Sequence, residues 1–302
     1  MKKYLKDIFI HLDGVAMAPI YEILSSNNGT KSILDISDGV LYTRYDSKEN
    51  GSKLNESYCS ILCKILQAQK ILEYKVKNED SKVYYRLTDY GKQILSQESN
   101  YSGFKDYYTS SIELIEGNIS LNDGHFYANF CKAYSAYLKS VHQNGLDALI
   151  SKHIEGAIIA PILIYCRYTN KVENINQFDG EVLNFFRKIN FIDNKNSLTL
   201  KGDYLLSKSY AYGVTDSYMK TFVHIEDLCL NKTQGLTQKT DKNNNEYHVN
   251  RALNVWGSGH SHSTYFKHID SYVKDIFNRP IDMQPKGVAD MGCGDGAFLY
   301  HL

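Results

Sequence analysis

The chain has 302 residues, of which 43% are hydrophobic and 23% charged, so it can bury sizeable cores and is not of the disordered class. Basic and acidic residues balance at 34 each, which gives no overall charge that would favour nucleic acid or an anionic membrane. The six cysteines include no CxxC pair, and no long uninterrupted apolar run predicts a transmembrane helix. We therefore expect a soluble cytoplasmic protein with reduced thiols.

Two apolar stretches of the chain resemble each other. Residues 11–20 (HLDGVAMAPI) and 153–162 (HIEGAIIAPI) share His, Gly, Ala, Pro and Ile at the same places. Two further matches follow, namely Leu87–Gly91 with Leu198–Gly202, and Gly103, Asp106 and Tyr108 with Gly213, Asp216 and Tyr218. We interpret the pattern as two tandem copies of one unit, within residues 1–145 and 146–230. The matched His11 and His153 predict a structural role, such as a buried hydrogen bond near a helix start.

Each copy predicts the same order of elements: an apolar helix, an amphipathic helix, a β-hairpin and another helix. In the first copy these are a helix over 8–24, a helix over 55–70, strands at 74–77 and 83–87 around a turn at 78–81, and a helix after 91. In the second they are a helix over 154–165, a helix over 178–189, strands at 191–192 and 197–200 around a turn at 194–196, and a helix after 202. The fold class is therefore mainly α with small β-hairpins, in the order typical of winged helices.

A winged helix raises the possibility of DNA binding, and the charges of these units argue against it. A recognition helix needs a basic face, but residues 55–70 carry only Lys64 and Lys70, and the turn at Asn78–Asp80 is acidic. We expect no nucleic-acid partner. A scaffold, a dimerisation surface or a substrate lid is the preferred interpretation of the two units.

Two connecting segments complete the first 245 residues. An aromatic stripe at helical spacing joins the two units and predicts a core-facing helix; its members are Phe126, Phe130, Tyr134, Tyr137 and Val141. Residues 231–245 (NKTQGLTQKTDKNNN) are almost entirely polar and predict a linker to a separate C-terminal part, residues 246–302.

The C-terminal part predicts two helices and a glycine-rich turn. A helix over 246–255 is expected to break at Gly257-Ser258-Gly259, and a second helix follows over 263–277. The run Lys286–Leu299 then reads as a short apolar strand ending at Asp290, a glycine-rich turn and the first turn of a helix.

This turn is the strongest candidate for a ligand site. Gly292, Gly294 and Gly296 remove the Cβ atoms that would keep a ligand away from the backbone, and a helix N-terminus would offer free N–H groups. A carboxylate at the strand end, Asp290, can accept hydrogen bonds from a ligand ammonium. The candidate cofactor-binding residues are Asp290, Met291, Gly292, Cys293, Gly294, Asp295 and Gly296. A dinucleotide fingerprint is the alternative, since Gly292, Gly294 and Ala297 formally satisfy its spacing.

The run Asp290-x-Gly292-x-Gly294-x-Gly296 resembles motif I of the class I S-adenosylmethionine-dependent methyltransferases. The resemblance implies a Rossmann-like α/β core, S-adenosylmethionine as cofactor, and a loop that holds its methionine moiety. Winged-helix-like units ahead of this motif resemble the O-methyltransferases, whose helical N-terminal part dimerises and covers the substrate.

A closer resemblance extends upstream of the motif. Residues 251–266 (RALNVWGSGHSHSTYF), followed by VADMGCGDG, resemble methyltransferase domains of polyketide synthases, in particular the apratoxin-type loading-module C-methyltransferase. That resemblance implies methylation at carbon of an acyl group on a carrier protein. Some members use a metal, whose ligands lie downstream of motif I and thus outside these 302 residues.

Few residues follow the glycine-rich turn, so we expect a core that is truncated here and an isolated chain that is inactive. The competing hypotheses are a non-enzymatic interaction module with a vestigial glycine loop and an O-methyltransferase of small molecules. An acyl carrier protein or a small molecule is the expected partner, together with a possible homodimer and no membrane.

Histidines crowd the region before the motif. His260 and His262 could supply two metal ligands, with Asp270 or Asp275 as a carboxylate, but no well-spaced third ligand is evident. We therefore expect no metal held by this chain and interpret the region as a polar lid over cofactor or substrate. The lid candidates are Ser258, Gly259, His262 and Tyr265.

Overall fold

The structure is a computed structural model that describes residues 2–26, 41–42, 55–76, 83–97, 100–142, 148–172, 174–232, 236, 240 and 245–302. It is mainly helical with one small antiparallel sheet. The predicted turn at 78–81, the end of its first strand at Lys77 and most of the predicted linker at 231–245 lie outside the described residues.

The described α-helices are α1 (Lys2–Ser25), α2 (Glu56–Ala68), α3 (Asp89–Leu95), α4 (Phe104–Glu116), α5 (Gly124–His142), α6 (Ala148–Tyr168), α7 (Gly180–Lys188), α8 (Leu200–Ser207), α9 (Tyr210–Asp216), α10 (Met219–Phe222), α11 (Ile225–Cys229), α12 (Arg251–Phe277) and α13 (Ala297–His301). The strands are β1 (Leu41–Tyr42), β2 (Leu72–Val76) and β3 (Val83–Leu87). The sheet order is β1-β3-β2, with both pairs antiparallel.

The described residues up to 232 form what we call the helical body. Helices α1 and α6 cross at its centre, backbone against backbone. A Cβ atom built on Gly14 would lie 2.2 Å from the carbonyl oxygen of His153, and one built on Gly156 would lie 2.4 Å from the Cα of His11. No other residue fits at either position without moving a helix. This reciprocal contact explains why the same His-x-x-Gly spacing recurs in both helices.

Both crossing helices are also long and apolar enough to span a membrane by length and composition. In α1 56% and in α6 83% of the apolar window is buried inside the protein. Core helices of compact proteins pass the same test, and the burial of α6 against its neighbours is typical of them.

The two matched histidines are fully buried and hydrogen-bonded to tyrosines of other segments. His11 Nδ1 and the Tyr212 hydroxyl are 2.8 Å apart, and His153 Nδ1 and the Tyr21 hydroxyl are 2.9 Å apart. The predicted buried hydrogen bonds are therefore confirmed. Their predicted place near a helix start is wrong, since both histidines lie in helix interiors at the crossing.

A buried ionic cluster lies beside this crossing. The Glu155 carboxylate is 3.3 Å from His11 Nε2, 2.7 Å from Lys152 Nζ and 2.5 Å from Lys201 Nζ. Lys201 also donates to the carbonyl oxygen of Ile189 at 2.7 Å. Burial alone would raise the pKa of Glu155, but His11 and the two lysines hold it below its ordinary value. Burial lowers the pKa of His11 and of Lys201.

Corresponding threonines cap corresponding helices in the two units. The Thr88 hydroxyl accepts the Gly91 N–H at 2.9 Å, and the Thr199 hydroxyl accepts the Gly202 N–H at 3.1 Å. A Cβ atom on Gly91 would lie 2.2 Å from the carbonyl oxygen of Ile71, and Gly202 is equally confined. Cap and close approach together explain the repeated Leu-Thr-x-x-Gly sequence.

The second predicted hairpin is largely wrong. Only an isolated bridge between Ile192 and Leu198 forms there, and the predicted strand at 197–200 gives way to α8, which begins at Leu200. Two backbone hydrogen bonds flank this bridge, from the Asp193 N–H to the Ser197 carbonyl oxygen at 2.8 Å and from the Thr199 N–H to the Phe191 carbonyl oxygen at 3.1 Å. The pairing extends no further because Thr199 is already the N-cap of α8.

The third sequence match also joins residues in different surroundings. Asp106 is exposed and forms an ion pair with Lys132 at 3.1 Å. Asp216 is buried, and burial raises its pKa well above the ordinary value. The aligned residues Asp106 and Asp216 therefore have different roles in the two matched segments.

The aromatic stripe forms one face of α5, as predicted. Its four aromatic members are buried, and the rings of Tyr134 and Tyr137 lie edge-on to Phe185 of α7 at 5.7 and 5.4 Å. Val141, predicted to share this core face, is 50% exposed, because it lies in the last turn of α5, beyond the body.

Candidate functional site

Helix α12 is continuous through the glycines that were predicted to break it. The predicted helices over 246–255 and 263–277 are one helix, Arg251–Phe277, and residues 246–250, predicted as helical, are not part of it, because Asn250 is its N-cap and accepts the Leu253 N–H. Gly257 lies against α9: its Cβ would be 2.9 Å from the Cα of Gly213. The missing side chain at this position lets α12 approach α9 closely. This tertiary contact stabilises a helical segment that an isolated Gly-Ser-Gly sequence would not form. The predicted break was therefore wrong.

The segment that leads to the glycine-rich turn has no regular secondary structure. Residues 287–290 pair with no strand within the described part of the chain, and Val288 is 48% exposed. The predicted strand ending at Asp290 therefore does not form within the described residues, because a strand requires a neighbouring backbone to accept and donate its hydrogen bonds.

The glycine loop (residues 290–296) follows directly. Gly292, Gly294 and Gly296 have φ angles of 86°, 59° and 76°, a left-handed conformation that side chains with a Cβ rarely adopt. The Gly296 N–H donates to the carbonyl oxygen of Cys293 at 2.8 Å and closes the turn. The glycines are thus required by the path of the backbone.

Helix α13 packs its first turn and its end against α12. The ring of Phe298 lies 5.2 Å from that of Phe266, and His301 Nε2 lies 2.6 Å from the Asp270 carboxylate. Asp295 Oδ1 accepts the Ala297 N–H at 3.0 Å. The prediction of free N–H groups at the start of α13 is therefore wrong in part, because one of them already donates a hydrogen bond to the Asp295 carboxylate.

A cleft of about 350 Å³ lies between α12 and the glycine loop. It is lined by Ser258, Gly259, His262, Tyr265, Phe266, Ile269, Asp290, Gly292, Cys293, Gly294, Asp295, Ala297 and Phe298. All four lid candidates and five of the seven loop candidates meet in this one cleft. Met291 and Gly296 do not line it: Met291 is 96% exposed, and Gly296 forms the N-cap of α13.

The cleft is acidic. Its lining includes the carboxylates of Asp290 and Asp295, and no lysine or arginine is among the described residues that line it. Phe266, Ile269 and Phe298 supply an apolar wall. The arrangement suits a ligand that carries positive charge and an apolar or aromatic part.

A family model for the AprA MT2-like domain matches residues 246–302. No curated protein matches the chain. The match covers the whole of α12, the glycine loop and α13, and it supports a methyltransferase relationship for this part of the chain, which we call the methyltransferase-like region.

Sequence reasoning missed the apolar wall of the cleft. Phe266 and Ile269 share one face of α12 with His262 and Gly259, because residues three and four apart lie together on a helix. The signal was present in the sequence as apolar and small residues at helical spacing. The predicted helix break concealed it, since a break would place residues 259 and 266 on unrelated surfaces.

The two histidines considered as metal ligands face different surroundings. His260 lies near the rings of Tyr210 and Trp256, and its Nδ1 is 3.0 Å from the Trp256 carbonyl oxygen, whereas His262 lines the cleft. They lie on a helix and not in the predicted turn, so they point apart. Among the described residues, no three His, Cys, Asp or Glu side chains are grouped to hold a metal.

Proposed function

We propose that the methyltransferase-like region binds S-adenosylmethionine in the cleft and that the protein transfers its methyl group. The observation that carries this proposal is the convergence of the glycine loop with one face of α12 around an acidic cleft. S-adenosylmethionine is cationic at its sulfonium and ammonium groups. Asp290 and Asp295 provide the complementary negative charge.

Asp295 also distinguishes this cofactor from a dinucleotide. A pyrophosphate at the start of α13 would meet the Asp295 carboxylate, which occupies the Ala297 N–H. A dinucleotide loop leaves such amides to the phosphates. The negative charge at this position therefore favours S-adenosylmethionine over the dinucleotide alternative.

The backbone of the loop leaves room for a ligand. A Cβ atom on Gly292 or Gly296 would meet no atom within 4 Å, and one on Gly294 would meet only Val255 Cγ1 at 4.0 Å. When bound, S-adenosylmethionine supplies an electrophilic methyl group on its sulfonium. The residues of this chain would hold the ammonium at Asp290 and orient the acceptor beside Tyr265, so that the rate enhancement comes from positioning.

The exposed surface of α12 supports a Rossmann-like core around the site. Beyond the cleft, Tyr272 and Ile276 are 71% and 36% exposed and continue the stripe of α12 on which the cleft residues Tyr265 and Ile269 lie. An apolar stripe at this spacing is the face a helix presents to a sheet or another helix. We propose that the part of the stripe beyond the cleft, Tyr272 and Ile276, packs on an α/β core to which residues 287–290 contribute the first strand.

The helical body would cover and select the acceptor. Helix α12 is anchored on it through Gly257 and through Trp256, whose ring lies 5.5 Å from that of Tyr168. We propose two winged-helix-like units of common origin that act as lid and dimerisation surface in the cytoplasm. The proposed acceptor is an acyl group on a carrier protein, methylated at carbon; a small-molecule hydroxyl is the alternative acceptor.

A non-enzymatic interaction module is the second candidate. The same exposed stripe on α12 favours it, since an apolar surface of that kind also suits a protein partner. In that case the glycine loop would have no ligand.

Calorimetric titration of S-adenosylhomocysteine, the stable product, tests the first proposal. We expect weak binding by this chain and at least tenfold weaker binding still by Gly294→Val, since a branched side chain at φ 59° distorts the loop and fills the cleft. Gly287→Ala is the matched control, because its Cβ would meet no atom within 4 Å. No binding by the unmodified chain, or undiminished binding by Gly294→Val, would remove the loop from the site and favour the interaction module.

A further inference from the structure

Gly259 lies in the interior of α12, where glycine is the least favourable residue apart from proline. Its backbone is helical, so its conformation does not require glycine. Unlike Gly257, whose Cβ would come closest to Gly213 and Val214 of α9, Gly259 has its three nearest atoms in the glycine loop. Its neighbour is the glycine loop: a Cβ atom on Gly259 would lie 2.6 Å from Asp295 Oδ2 and 3.0 Å from Oδ1.

The Asp295 carboxylate occupies the space that the missing side chain leaves. In that position its Oδ1 caps the Ala297 N–H, and the carboxylate forms part of the cleft lining. The loop on its other side is closed by the hydrogen bond from Gly296 to Cys293. A methyl group at position 259 would push the carboxylate away and break its hydrogen bond with the Ala297 N–H.

We infer that Gly259 is a positioning residue: it seats the Asp295 carboxylate against α12 and thereby holds the glycine loop in the conformation that binds the ligand. The identity of the ligand rests on the proposed function, whereas the positioning role itself rests on the contact between Gly259 and the Asp295 carboxylate. It assigns to α12 the task of setting the loop, in addition to forming one wall of the cleft.

The first test measures the loop without any ligand. Hydrogen exchange, followed by mass spectrometry, should show faster exchange of residues 293–301 in Gly259→Ala than in the unmodified chain. The Gly287→Ala control should leave that exchange unchanged. Equal exchange in Gly259→Ala and the unmodified chain would overturn the inference, whatever the chain binds.

The second test measures affinity for S-adenosylhomocysteine in a double-mutant cycle. Gly259→Ala and Asp295→Ala should each weaken binding about tenfold, and the double variant should be no weaker than Asp295→Ala alone. Because alanine favours a helix, Gly259→Ala should not lower the midpoint of thermal unfolding. A merely structural glycine would lower that midpoint together with the affinity.

The two ideas fail in different ways. Additive losses in the cycle would overturn the positioning role while leaving the cofactor site intact. No binding by the unmodified chain would overturn the proposed function, and the exchange experiment would still decide whether Gly259 positions the loop.

Discussion

Glycines in the helical body and glycines in the methyltransferase-like region meet opposite surroundings. At the crossing of α1 and α6, Gly14 and Gly156 are confined by the backbone of the other helix at 2.2 and 2.4 Å. In the loop, Gly292 and Gly296 have left-handed φ angles and no atom within 4 Å of a Cβ. The first pair permits packing, and the second permits a turn and an open approach.

Carboxylates show the same division. Glu155 is buried among His11 and two lysines, whereas Asp290 and Asp295 face an open cleft without a basic partner in its described lining. A satisfied buried charge is typical of a structural role. Carboxylates beside an exposed turn that have no basic partner in the described lining are typical of a surface that receives a ligand. The difference can be measured, because substitution of Glu155 should affect folding, whereas substitution of Asp290 or Asp295 should affect ligand binding.

The largest expected effect is on the buried ionic cluster. Glu155→Gln should lower the free energy of unfolding by roughly 3–5 kcal/mol, because it leaves Lys201 buried without its counter-charge. Asp290→Asn should leave that free energy unchanged and weaken S-adenosylhomocysteine binding. Urea unfolding followed by circular dichroism measures the first effect and calorimetry the second. Similar unfolding curves for Glu155→Gln and the unmodified chain would contradict the structural role of the cluster.

Substitutions of single glycines should separate the two regions next. Gly156→Ala should cost about 3 kcal/mol of unfolding free energy, because the added methyl group would overlap the backbone at His11. Gly180→Ala is the control, since no atom lies within 4 Å of its Cβ. Gly292→Ala should cost about 1 kcal/mol, the strain of a left-handed residue, and act mainly on binding. The ranking is wrong if Gly292→Ala destabilises the fold more than Gly156→Ala.

Stability should fall as the pH is lowered from 7 to 5, by at most about 2 kcal/mol from His11. Burial lowers the pKa of His11, so the unfolded chain takes up a proton in this range while the folded chain does not. His11→Gln should flatten this part of the profile. Denaturant unfolding at several pH values measures it, and an unchanged slope in the variant would show that other groups cause the loss.

The smallest effect on folding is expected at Cys293. This thiol is exposed in the cleft, whereas Cys59, Cys63, Cys166 and Cys229 are buried and Cys131 is partly buried. Iodoacetamide should therefore modify Cys293 first, without changing the unfolding curve, and S-adenosylhomocysteine should slow the modification. Peptide mass spectrometry identifies the modified site. Unchanged labelling in the presence of bound ligand would place the ligand away from the loop.

Local sequence was sufficient for elements whose cause is local. The apolar periodicity of α1, α5 and α6 predicted those helices, and β3 was predicted with its bounds. Nine of the eleven candidate residues of the loop and lid line one cleft, and their role in binding a ligand stays a prediction. Residue type and spacing carried this information because short-range backbone preference and amphipathic patterning act within a few residues.

Tertiary contacts decided what the sequence alone got wrong. Gly257 and Gly259 predicted a break in the helix. In the structure α12 continues through both, because Gly257 packs closely on Gly213 and the Asp295 carboxylate packs against Gly259. The segment before Asp290 has strand composition and forms no strand, because that depends on a pairing partner. Glycine lacks a side chain, so the role of each glycine depends on which groups pack against it in the folded chain. The sequence therefore determined most helices and the candidate site residues, and the packing of distant segments decided how these residues were joined into a cleft.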